Sequence, residues 1–201
     1  MVRAIVRMRK VRRICCFNFD DILETAFEEE ERNFQCVTEG DEIPFLSDTT
    51  LILHPHGYLP RRRRSKRRAS ANIVFSEDDY HKLYSSPSAW SNLVQLVLLL
   101  DYSAVFVGCS LKDPNLRRLL DIVAQMRPKQ RHYALLPDTT TERPSESNQE
   151  KLKAWSFQNR IRTAEKEVRE RDLMTRGVIP IWWRKPSEVA EKLREIVGDD
   201  A

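Results

Sequence analysis

The sequence predicts an α/β fold with a doubly wound, mostly parallel sheet, on three observations. Short apolar runs rich in β-branched and aromatic residues alternate with segments of helical period along most of the chain. Three polar clusters each follow one of those runs: Asn18-Phe19-Asp20, His54-Pro55-His56-Gly57 and Gly108-Cys109-Ser110. Parallel sheets bind ligands beyond the carboxyl ends of their strands, so the three clusters are expected on one rim. Third, 201 residues suit one domain with a core of its own, and a single domain over 1–201 is expected.

The elements follow in order. Val11 to Phe17 reads as a strand, and Asp20 precedes a helix carrying Ile22, Leu23, Ala26 and Phe27 at helical spacing. Acidic residues Asp20, Asp21 and Glu24 in its first turn suit the positive end of the helix dipole. Phe34 to Val37 and Thr49 to Leu53 read as strands, and 60–71 as a basic loop insertion without apolar period. Asn72 to Phe75 is strand-like, and Ser76 caps a helix with Tyr80, Leu83 and Tyr84. Pro87 suits the first turn of the next helix, which carries Trp90, Leu93, Val94, Val97 and Leu98. Ser103 to Val107 reads as a buried strand, and Asp113-Pro114 starts a helix with Leu116, Leu119, Leu120 and Val123. After a strand at His132 to Leu136 and a polar loop from Pro137 to Ser147, Glu150 to Met174 reads as a long charged helix stopped by Gly177. Exposing Trp155 and Phe157 on that helix would be costly, which makes it a candidate oligomer surface. Val178 to Trp183 is the last strand, its Trp182-Trp183 pair expected to bury one ring. Ser187 to Val197 is an amphipathic terminal helix.

Composition excludes several classes. Apolar residues at 41% and charged residues at 32% describe a globular chain rather than a disordered one. Arg61 to Arg68 holds seven cations, and taking these from the net charge of +4 leaves −3, so the basic character is local. Nucleic acid is therefore expected to be at most a weak partner, through that run, and no aromatic residue interleaves it for base stacking. The four cysteines, Cys15, Cys16, Cys36 and Cys109, form no C-x-x-C pair and read as buried free thiols, so no metal is expected. Leu96 to Leu100 is too short to span a bilayer and no signal peptide is seen, so a cytoplasmic protein with no membrane partner is expected.

The polar clusters carry the chemistry. The Asn18 amide can donate and accept, fixing a ribose hydroxyl or a water. Asp20 can accept from two hydroxyls or cap the following helix. His56 can shuttle a proton near neutral pH, and Gly57 permits close approach of a ligand. His54 competes with His56 for that role. Gly108 and Ser110 offer a backbone amide and a hydroxyl to a phosphate or ribose.

Phe17-Asn18-Phe19-Asp20-Asp21 resembles the asparagine motif of sirtuins, and more closely that of the bacterial sirtuin-like proteins. His54-Pro55-His56-Gly57-Tyr58 resembles their histidine-glycine motif. Gly108-Cys109-Ser110-Leu111-Lys112-Asp113-Pro114-Asn115-Leu116-Arg117 resembles the block after their central strand, and Val74 to Tyr80 a strand-to-helix entry between the two. The resemblance covers roughly Val11 to Ile196. It implies a Rossmann-like fold with NAD as substrate. Asn18 and His56 would be catalytic, the first orienting the nicotinamide ribose and a water, the second acting as base. Phe17, Asp20, Gly57, Gly108 and Ser110 would bind the dinucleotide.

Two departures refine what the resemblance implies. Deacylating sirtuins carry a zinc module where this chain has the arginine loop, which points instead to the NAD hydrolases of antiphage defence. Residues Met1 to Val11 hold no glycine, so the family's first, glycine-rich βα unit is expected to be missing. A partner chain, a homo-oligomer or a longer gene product would then complete the site. Otherwise the chain is a non-catalytic module that binds NAD or ADP-ribose.

Overall fold

A computed structural model of the chain describes residues 1–44, 49–61, 73–141 and 149–198. The basic insertion from Arg62 onward, Asn72 and part of the Pro137–Ser147 loop lie outside the described residues. The chain divides into two compact units, Met1–Tyr102 with Ala190–Ala201, and Ser103–Val189.

The first unit is built on a parallel three-stranded sheet. Its strands are β1 (Arg13–Cys15), β2 (Phe34–Val37) and β3 (Thr50–Leu53), in the order β1-β3-β2. All four residues of β3 are buried, as a central strand covered on both faces requires. The helices are α1 (Val2–Arg7), α2 (Ile22–Glu29), α3 (Glu77–Ser85) and α4 (Trp90–Asp101). Helix α1 is an element that the sequence reading missed. Val6, buried with Leu23, Ala26, Phe27 and Ile52, anchors it to α2 and β3, and Val2 and Ile5 pack beside them. Each such side chain, fully buried, contributes about 1.5–3 kcal/mol. The Arg32 guanidinium donates to the carbonyls of Val6 and Met8 at the carboxyl end of α1, where helix carbonyls lack partners. A second cluster joins Val37, Leu51 and Leu53 of the sheet to Val94 of α4.

Two expectations are corrected here. Residues 73–75 form no strand: the Val74 N–H donates to the His56 carbonyl at 2.9 Å, and Phe75 is 81% exposed. Pro87 lies ahead of α4, which begins at Trp90 after Ala89. Ser76 caps α3 as expected, in a reciprocal box with Asp79.

The second unit has β4 (Val105–Val107), β5 (His132–Pro137) and β6 (Val178–Trp183) in that order, again all parallel. Between them run α5 (Pro114–Met126) and the long α6 (Gln149–Thr175), which lies against β6. Gly177, with φ of +73°, ends the turn after α6 in the left-handed conformation that glycine adopts without strain. Phe157 on α6 is 65% exposed, while Trp155 is half-buried and donates its indole N–H to Thr141 at 2.9 Å. Neither ring of the Trp182-Trp183 pair is fully buried, and Lys166 lies 5.0 Å from the Trp182 ring. The last helix, α7 (Glu188–Val197), belongs mostly to the first unit and buries Val189 and Leu193. No helix among the described residues is long and apolar enough to cross a membrane. Two parallel sheets, each linked through helices, form the α/β architecture that the alternation of strands and helices predicts.

Candidate functional site

Strands β1 and β3 are adjacent and parallel, so the segments that leave their carboxyl ends emerge on the same edge of the first sheet. Those segments are Cys16 to Asp21 and His54 to Tyr58. The sheet continues briefly past its last paired residues. The Cys16 N–H donates to the Leu53 carbonyl at 2.8 Å, and the His54 N–H to the Val37 carbonyl at 2.9 Å.

His54 joins the two segments. Its side chain is fully buried, and both ring nitrogens are engaged. Nδ1 lies 3.0 Å from the Asn18 carbonyl and Nε2 lies 2.6 Å from Glu24 Oε1. A carbonyl only accepts, so Nδ1 carries a proton and donates it. The backbone of Asn18 is thereby fixed, while the Asn18 side chain is exposed at the end of the strand. The Cys16 thiol also points at the Asn18 carbonyl, at 3.8 Å, and burial pushes its pKa up to about 11. That thiol is a packing group rather than a nucleophile.

His56 is buried with its ring centroid 5.1 Å from Phe17 and 5.5 Å from Tyr80 of α3. Gly57 has φ of +100° and turns the chain back, its N–H donating to the His54 carbonyl at 3.1 Å. Tyr58 packs against His54 with the rings tilted by 50° and centroids 4.7 Å apart. Asn18, Phe17, His56 and Gly57 are thus gathered at one strand edge. Asp20 accepts from the Ile22 N–H at 3.2 Å, the local capping bond that competes with ligand contact. Asp21, read from the sequence as a first-turn acid, is buried and accepts from the Arg61 N–H at 3.0 Å.

Gly108 and Ser110 belong to the second unit, after β4. Gly108 is exposed with φ of +68°, and a Cβ there would meet nothing within 4 Å, so conformation rather than space calls for glycine. Ser110 offers an exposed hydroxyl, and its carbonyl accepts from Arg169 at 2.7 Å. Leu111, buried at 1% exposure, holds φ of +53°, an uncommon conformation for a bulky residue and a sign that packing holds this turn in place. Asp113 then caps α5 by accepting from the Leu116 N–H at 2.7 Å.

The sequence reading also missed Glu24 and Cys36. The first read as a dipole partner at a helix start and the second as a buried thiol. Nothing local in the sequence shows that α2, β2 and β3 bring both against His54.

Comparison with known proteins supports the family resemblance. Residues 12–159 match the family model described as SIR2-like domain. The curated protein Defense-associated sirtuin 2 of Bacillus subtilis is 24% identical over 115 residues, covering 57% of this chain and 11% of that protein. The chain therefore spans a small part of that relative's length. The family match extends over most of the chain and takes in all four motifs, and on that ground the chain belongs to the SIR2-like domain family.

Proposed function

We propose that this chain hydrolyses NAD at the nicotinamide–ribose bond, releasing nicotinamide and ADP-ribose, and that it acts in defence against phage. Family membership and the relative's name support the setting. The observation that carries the residue assignment is the double engagement of His54. His54 is held between the Asn18 carbonyl and Glu24, and the role of base is assigned to His56 from its place beside Phe17 at the same strand edge, ahead of the Gly57 turn.

The reaction breaks the bond between the anomeric carbon and the pyridine nitrogen. The electron pair leaves with nicotinamide, and water supplies the new C–O bond while giving up a proton. Asn18 orients the ribose and that water through its exposed amide. His56 takes the proton, a service worth about 10²–10⁴-fold. Phe17, Asp20 and Gly57 line the nicotinamide side, and Gly108 and Ser110 hold the phosphate and adenosine ribose. Assembly with a second copy or a partner chain completes the working enzyme.

A second reading, binding of NAD or ADP-ribose without turnover, is favoured by the Asp20 carboxylate, which already accepts from the Ile22 N–H at 3.2 Å. Nicotinamide release by purified protein decides between the two. The expected result is release by the wild type, reduced at least 100-fold in both Asn18→Ala and His56→Ala. Saturable NAD binding with no release would overturn hydrolysis and leave the binding module standing.

A further inference from the structure

Behind the Asn18 loop, Glu24 of α2, Cys36 of β2 and His54 after β3 bring one ligand atom each to a common point, all within 4.8 Å of one another. All three residues are buried. We propose that they form a binding site for a zinc-class divalent cation, distinct from the cysteine-pair module that the chain lacks.

Four observations carry the proposal. The donor set is one imidazole, one carboxylate and one thiol, the mixture that borderline-soft zinc prefers. The His54 Nδ1–H donates to the Asn18 carbonyl, which leaves Nε2 as the inward-facing nitrogen. Ligating histidines typically hold their other ring N–H on a carbonyl or carboxylate in this way. Glu24 Oε2 is fully buried and has no hydrogen-bond partner among the described residues, although a buried carboxylate oxygen left unpaired costs about 1–3 kcal/mol or more. Finally, the charges balance: a thiolate and a carboxylate together neutralise a dication, with the imidazole neutral.

Zinc bonds of about 2.0–2.3 Å put tetrahedral ligands roughly 3.3–3.8 Å apart. The 2.6 Å contact between His54 Nε2 and Glu24 Oε1 must therefore open by about an ångström, or Oε2 must take the ligand position. Thiolate ligation requires the Cys36 thiol to give up its proton, so cation binding is coupled to proton release. Such a site ties α2, β2 and β3 together directly beneath Asn18.

The test uses the purified wild-type protein, with the metal as probe and no activity readout. Cobalt(II) titration is expected to give a thiolate charge-transfer band saturating at one equivalent. Zinc at 100-fold excess over its dissociation constant is expected to raise the melting temperature by about 5 °C or more. Cys36→Ala is expected to lose the band and bind cobalt at least 100-fold more weakly. Glu24→Gln, which keeps the volume and the hydrogen bond to His54, is expected to bind at least tenfold more weakly. Absence of both the band and the thermal shift in the wild type would overturn the site, leaving a buried histidine–glutamate pair. Unchanged cobalt affinity in a folded Cys36→Ala protein would overturn it equally.

Discussion

His132 opens β5 with a side chain that water barely reaches, at 1% exposure. Its Nδ1 accepts from the Ala104 N–H at 3.1 Å, so the ring is neutral with its proton on Nε2. Burial lowers its pKa from the ordinary 6.5 to about 4. The unfolded chain therefore binds a proton between those values while the folded chain does not. The stability that this neutral histidine contributes is full above pH 6.5 and is lost as pH falls from 6.5 towards 4. The loss is on the order of 2–3 kcal/mol. Urea denaturation at pH 7.5 and at pH 4.5 is expected to show this loss, and His132→Asn, which keeps an acceptor for Ala104 without titrating, to remove most of it. An equal loss in that variant would assign the pH dependence elsewhere. Residues of this kind are where the sequence is least legible. His132 reads only as the first residue of a strand, and Glu24 and Cys36 only as a helix-start acid and a small hydrophobe. Their chemistry comes from partners between 12 and 30 positions away, which no local pattern encodes.

At the scale of elements the sequence says much more, because propensity and capping act within a few residues. The bounds of β2 and β6 coincide with the apolar runs Phe34–Val37 and Val178–Trp183. The start of α5 is fixed by Asp113 as cap and Pro114 in the first turn. Replacing that cap tests its worth. Asp113→Ala leaves the Leu116 N–H without its acceptor and is expected to cost about 1 kcal/mol, read as a lower denaturation midpoint with unchanged slope. No change would mean that water serves the helix end as well as the carboxylate does. The misreadings have physical causes too. Helix α1 has six residues, well below the length at which a helix is stable alone, and it persists because Val6 is packed under α2 and β3. Val74 and Phe75 carry strand propensity, yet that preference has force only where a neighbouring strand pairs along its length. Here the Val74 N–H donates to the carbonyl of His56. In the candidate site, the glycine turns and the clustering at strand ends were legible, whereas the assignment of His54 to structure needed the ring's two partners to be seen.

Over the whole molecule the charge is uneven. The run Arg61 to Arg68 supplies seven positive charges, and without them the net charge passes from +4 to −3. A cluster of that density releases counterions when it meets a polyanion, so binding through it weakens steeply with salt. The proposed chemistry draws on none of these side chains. At the described end of the run, Arg61 meets the first unit through its backbone N–H, held by Asp21 Oδ2, a bond that any residue but proline retains. Replacing all seven cations with serine is therefore expected to abolish salt-dependent retention on heparin or duplex DNA while nicotinamide release stays within about twofold. Because long-range fields screen within about 8 Å at physiological salt, the remaining rate change should shrink further as ionic strength rises. A drop of more than tenfold that persists at high salt would mean that the run reaches the dinucleotide itself, and would move the phosphate-holding role from the Gly108 turn to this loop.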